Sequence, residues 1–177
     1  MKNTNKIAVV VIIFLAALTR LIPHPPNFTP IVAVGFLSGI FLKDYKYFYL
    51  IPITAMLLSD LTLEYFYGIG IHKIMPFVYI GILCSAFIGK RLHSGSKVHK
   101  TFIYLFSSSL LFFIISNLGV WIIGYPKTVA GIISCYTMAI PFYKNSLLGD
   151  FFYTGAIFGL YSLYRQFVNF IKPNFVN

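Results

Sequence analysis

Acidic residues are nearly missing from this chain: Asp and Glu together number 4 among 177 residues, against 14 Lys and Arg. Charged residues of both signs make up only 10%, too few to cover the surface of a soluble domain of this length. Cysteine is as scarce. Cys84 and Cys135 stand far apart and no C-x-x-C occurs, which excludes a disulfide framework or a cysteine-based zinc site, so both read as structural. No G-x-x-x-x-G-K-[ST] is present, so the chain is not its own ATPase in the usual way, and neither G-x-S-x-G nor H-E-x-x-H occurs. His72, His93 and His99 show no metal-ligand spacing. Neither a metal nor a cofactor is implied.

What is present is hydrocarbon. Hydrophobic residues reach 58% and mean hydropathy is +0.81. Aromatics make up 19%, several of them near the ends of apolar runs, where interfacial belts belong. This predicts a single transmembrane domain over residues 1–177, with the lipid bilayer as its first partner. The net charge of +10 would suggest nucleic acid in a soluble protein. Here the basic residues lie mostly in short loops between apolar runs, so they read as membrane topology and not as a nucleic-acid surface. Lys2, Lys6 and the run Ile7–Leu18 resemble the charged and apolar regions of a signal peptide. A small-x-small cleavage site is lacking, so a retained first helix is expected.

The apolar runs fall near 6–22, 29–42, 47–64, 76–92, 101–123 and 147–168. The expectation is an all-α integral membrane bundle of six transmembrane helices, each of the ~20 residues a bilayer requires, with the second one short. Pro30 and Pro76 suit first turns, and Pro52 is expected to kink the third helix. With the N-terminus cytoplasmic, the inner segments carry Lys2, Lys6, Lys43, Lys46, Lys90, Arg91, Lys97, Lys100, Arg165 and Lys172, and the outer ones only Lys73, Lys127 and Lys144. That asymmetry predicts an inner-membrane protein with both termini cytoplasmic. Between Pro126 and Pro141 the run 128–140 is too short to span and too apolar for a free loop. It is expected to be a separate re-entrant or surface helix. Small residues recur at four-residue spacing: Gly35 and Gly39, Gly81, Ser85 and Gly89, and Gly155 and Gly159. Such faces allow close helix packing.

Ionisable groups inside a membrane are costly and are functional candidates by default. In this topology Arg20, His24, Asn27, Asp60, Glu64, Asn117, Trp121, Asn145 and Asp150 all fall near the outer face, contributed by helices running in both directions. Only Asp44 among the acids lies elsewhere. One reading makes this a brace, with Arg20 paired to Asp60 or Asp150 and the asparagines as hydrogen-bond glue. The other makes it a polar pocket open to the outside, roofed by the first outer loop and by 124–146. The two are compatible. In the second, Arg20 holds a carboxylate or phosphate through its fork and Trp121 stacks or anchors at the interface.

The series RLIPHPPNFTPI (20–31), MLLSD (56–60), SNLGVW (116–121), YP (125–126), GIISCY (131–136) and AIPFYKNSLLGD (139–150) resembles a family of small bacterial membrane proteins. That family is similar to the substrate-binding (S) components of energy-coupling factor (ECF) transporters. The resemblance runs from Arg20 to about Gly159. It implies a six-helix protein that captures a small nutrient, such as a vitamin or its precursor, from the outer side, with an ECF-type scaffold protein and ATPases as partners. One departure stands out. Many S components carry A-x-x-x-A on the first helix for docking, whereas Ala8, Ala16 and Ala17 here lack that spacing. Two other classes of function fit the residues. One is a structural or partner-binding subunit that uses the G-x-x-x-G faces and has no small-molecule ligand. The other is a membrane enzyme on a lipid head group, with Asp60, Glu64 or Asp150 as acid or base.

Overall fold

The computed structural model describes residues 3–92 and 97–171; Lys2, His93 and Lys172, discussed above, lie outside them. The described residues form six α-helices and one short 3-10 turn, with no strand: α1 (Asn3–Leu18) with the turn Thr19–Leu21, α2 (Ile31–Phe41), α3 (Leu50–Tyr67), α4 (Met75–Lys90), α5 (Val98–Gly124) and α6 (Val129–Ile171). The fold is all-helical, as the apolar runs predict. By length and composition one of these helices, α5, is long and apolar enough to cross a bilayer, while α2 and α4 are shorter apolar helices.

Local chemistry sets most helix ends. Pro30 precedes α2 and Pro76 lies in the first turn of α4, where no amide hydrogen is needed. Gly68 ends α3 in the left-handed region, at φ 65°, with its N–H on the Glu64 carbonyl. Pro52 is the third residue of α3, not an interior one, so the expected kink has no cause: a first-turn N–H has no intrahelical partner to lose.

α2 is the hub. Nine of its eleven residues, Val32 through Ile40, are buried, and α1, α3, α4, α5 and α6 all pack on it. It runs parallel to α4 along a glycine seam. A Cβ on Gly39 would lie 2.0 Å from the Ala86 carbonyl oxygen, one on Gly89 2.0 Å from that of Phe36, and one on Gly35 2.7 Å from that of Ile82. Gly81 receives the Phe112 ring of α5 instead. These spacings do what the sequence predicts. Gly155 and Gly159 do not, because nothing lies within 4 Å of a Cβ built on either. Their spacing makes a smooth face, but no element among the described residues covers it.

The larger correction concerns α6. The separate helix expected over 128–140 does not exist. Those residues and the expected last span form one helix of 43 residues, with Pro141 inside it, about 65 Å long if straight. Proline removes one backbone hydrogen bond, and α5 supports the helix on both sides of the gap. Tyr136 donates to the Ile114 carbonyl (2.7 Å) and Tyr143 packs on Phe113 at 4.6 Å between ring centroids. Farther along, Ser109 donates to Asp150 (2.6 Å). No glycine or second proline follows Pro141 closely enough to break the run.

Lysines collect at the end of α2 away from Arg20. Lys6 lies 4.5 Å from the Tyr45 ring and Lys90 4.5 Å from the Phe48 ring, so the start of α1, the α2–α3 connection and the end of α4 meet there.

Candidate functional site

A cleft of about 630 Å³ opens at the other end of the bundle. Its polar centre is Arg20, held in the turn that closes α1. The Arg20 guanidinium donates through Nη1 to Asp60 Oδ1 and to Ser59 Oγ, each at 2.5 Å. Tyr79 of α4 donates to Asp60 Oδ2 at 2.6 Å. Both carboxylate oxygens are therefore engaged, and the pair is largely buried, with 12% and 6% of the two side chains exposed. The contacts tie α1, α3 and α4 together. Arg20 and Asp60 also line the cleft, so brace and pocket wall are the same residues.

The proline-rich loop forms the rim. Pro25 to Phe28 make a tight turn closed by the Phe28 N–H on the Pro25 carbonyl (3.0 Å). Asn27 occupies its third position at φ 62°, the left-handed region that Asn tolerates better than most residues, and Pro26 presets the position before it. Two contacts seat this turn on α6. Asn145 donates its side-chain amide to the Pro26 carbonyl (3.1 Å), and Gly149 lets the Thr29 backbone come so near that a Cβ would sit 3.0 Å from its nitrogen. Phe28 fills the space beside Phe152 and Tyr153. Opposite, Gly70 folds the α3–α4 connection back onto α3, and the Ile71 N–H is held by Glu64 Oε2 (2.9 Å). This brings His72 to the cleft.

The far wall belongs to α5 and α6 and is mostly apolar and aromatic: Phe112, Phe113, Met138, Phe142 and Tyr143. Asn117 lines it too, but spends its side-chain amide on its own helix, at the Phe113 carbonyl (2.8 Å). Cys135 lies against the Asn117 carbonyl.

Of the nine residues the sequence singles out, Arg20, His24, Asn27, Asp60 and Asn117 line the cleft. Glu64 and Asn145 act one step back, as clasps of the two rim loops. Trp121 braces the α5–α6 turn: its indole N–H meets the Pro126 carbonyl (3.1 Å) and Lys127 lies over its ring while capping the carbonyls of Trp121, Ile122 and Tyr125. Asp150 is deeper, buried beneath the cleft beside Ser109. Because α6 starts at Val129, Asp150 falls opposite the middle of α5 and not at a helix start. Tyr79, Ser59 and His72 were not singled out. Tyr79 sits in an apolar run where a tyrosine passes for a belt residue. The available signal was that Asp60 has a second oxygen to satisfy.

Among the described residues no three His, Cys, Asp or Glu side chains converge. No curated protein and no solved structure matches the chain. A family model described only as a family of unknown function, DUF6580, matches residues 1–172, and the chain belongs to that family.

Proposed function

We propose that the protein is a six-span bacterial inner-membrane protein that binds a small amphipathic nutrient in this cleft, reached from the outer side, in the manner of an ECF S component. The observation that carries the reading is the cleft itself. At about 630 Å³ it has the size of a small-molecule site. Its lining divides the labour usual for one, with an apolar, aromatic wall facing a polar centre. Arg20 makes both of its contacts through one nitrogen, Nη1, and its charge is matched by Asp60. A polar, near-neutral ligand suits that centre better than a strong anion, which would have to compete with the carboxylate.

Membrane residence is supported by the apolar character of outward faces. Leu57, Leu58 and Leu61 of α3, Phe102, Ile103 and Leu110 of α5, and Leu160, Leu163 and Phe167 of α6 are all exposed, a breadth of apolar surface that water does not favour. The lysines gathered at the end opposite the cleft favour a cytoplasmic position for that end.

Native mass spectrometry of the protein purified in mild detergent tests the reading. A retained small molecule is expected, and it should be lost in Arg20→Ala, in Asp60→Asn, and in Ala139→Trp, which fills the cleft without touching the ion pair. Retention in all three, with folding intact, would remove the cleft from the binding site. A stoichiometric protein partner without any small molecule would favour the subunit reading.

A further inference from the structure

Asp150 presents an unbalanced account of charge. It is 1% exposed, and among the described residues the single ion pair is Arg20–Asp60. A carboxylate out of water needs a counter-charge or a full set of hydrogen bonds. Asp150 Oδ2 accepts from Ser109, while Oδ1 has no hydrogen-bond partner. One helical turn farther along the same face, the Thr154 hydroxyl is buried and also has no partner. It does not bond back to its own helix, as Thr62 does to the Leu58 carbonyl. Two buried oxygens, one helical turn apart on the same helix, thus lack a hydrogen-bond partner among the described residues. The Val32 N–H, in the first turn of α2, faces the carboxylate. That N–H belongs to the positive end of α2 and offsets part of the carboxylate charge, while Oδ1 keeps no hydrogen-bond partner among the described residues.

We propose that this junction of α2, α5 and α6 binds one monovalent hard cation, sodium, with Asp150 Oδ1 and Thr154 Oγ1 as its protein ligands. The donor set decides the class of ion. Carboxylate and hydroxyl oxygens suit hard cations, and a soft or transition metal would call for imidazole or thiolate. A single carboxylate matches a single positive charge. The site touches the cleft through one side chain: Tyr143 lines the cleft and its hydroxyl faces Ser109, which holds the other oxygen of Asp150. The cation site stands whether or not the cleft holds a nutrient.

Equilibrium dialysis of the purified, unaltered chain against ²²Na⁺ is expected to give one sodium per chain. Thermal unfolding with sodium chloride replacing choline chloride at constant ionic strength should show a saturable rise in Tm. Asp150→Asn and Thr154→Val should abolish both. If Asp150→Asn does not fold, Thr154→Val and dialysis of the unaltered chain decide. Failure of the unaltered chain to bind ²²Na⁺, or full binding in a folded variant, overturns the proposal. So does an unmoved Tm, the result for a carboxyl group that carries its own proton.

Discussion

Toward its C-terminal end α2 lies on α4 backbone to backbone, with Gly39 and Gly89 leaving no room for a methyl group. Toward its N-terminal end the same helix gives onto a cleft whose walls are joined by side chains: Arg20 to Asp60, Tyr79 to Asp60, Asn145 to Pro26. Steric fit fixes one end and directional bonds fix the other. Close packing tolerates almost no change in volume, whereas each polar tie contributes about 1 kcal/mol, more where a charge takes part. The cleft is therefore framed by replaceable contacts that hang from a seam that is not replaceable. Such a division lets the cleft change its lining while the bundle keeps its register.

The sharpest way to break this contrast is at the seam. Gly39→Ala places a methyl group against the Ala86 carbonyl and the Lys90 backbone nitrogen. It should cost at least about 3 kcal/mol, the upper range for overpacking, because the obstacle is backbone and cannot rotate away. Thermal unfolding in detergent would measure it, and a cost below 1 kcal/mol would mean that the two helices are free to separate. At the cleft end the effects should be smaller. Asn27→Ala forces a Cβ-bearing residue without a polar side chain to φ 62° and should cost about 1 kcal/mol. Asn27→Gly should be neutral or better in stability. If Asn27→Ala is harmless, the rim turn is not held in that conformation. The smallest effect is expected at Gly159, which has the spacing of the seam without its neighbours. Gly159→Ala should be neutral or stabilise by up to about 1 kcal/mol through helix propensity. A marked loss there, read by the oligomeric state in size-exclusion chromatography, would show that a second chain covers the face.

The glycine pair of α2 and the pair of α6 look alike in sequence, yet only the first is buried. Spacing reports that a face is smooth. Burial depends on which helix passes there, and that is decided by contacts far away in the chain. The convergence of Arg20, His24, Asn27, Asp60 and Asn117 was legible because charge and polarity are rare enough in this chain to be tracked by depth. Tyr79 was not, since a tyrosine among apolar residues carries no mark of the bond it makes. The continuity of α6 was hidden for a different reason. Pro141 reads locally as a boundary, and only the neighbouring α5, bonded at Tyr136 and Asp150, outweighs it.

That continuity gives α6 a mechanical character. One end forms the cleft wall at Cys135, Met138 and Tyr143, and the other passes Arg165 at the far side of the bundle. A rod of this kind makes the cleft wall and the distant tip parts of one element, so a tilt at either end carries the other. Pro141, the residue of the rod without an amide hydrogen, is where such a rod is most easily bent.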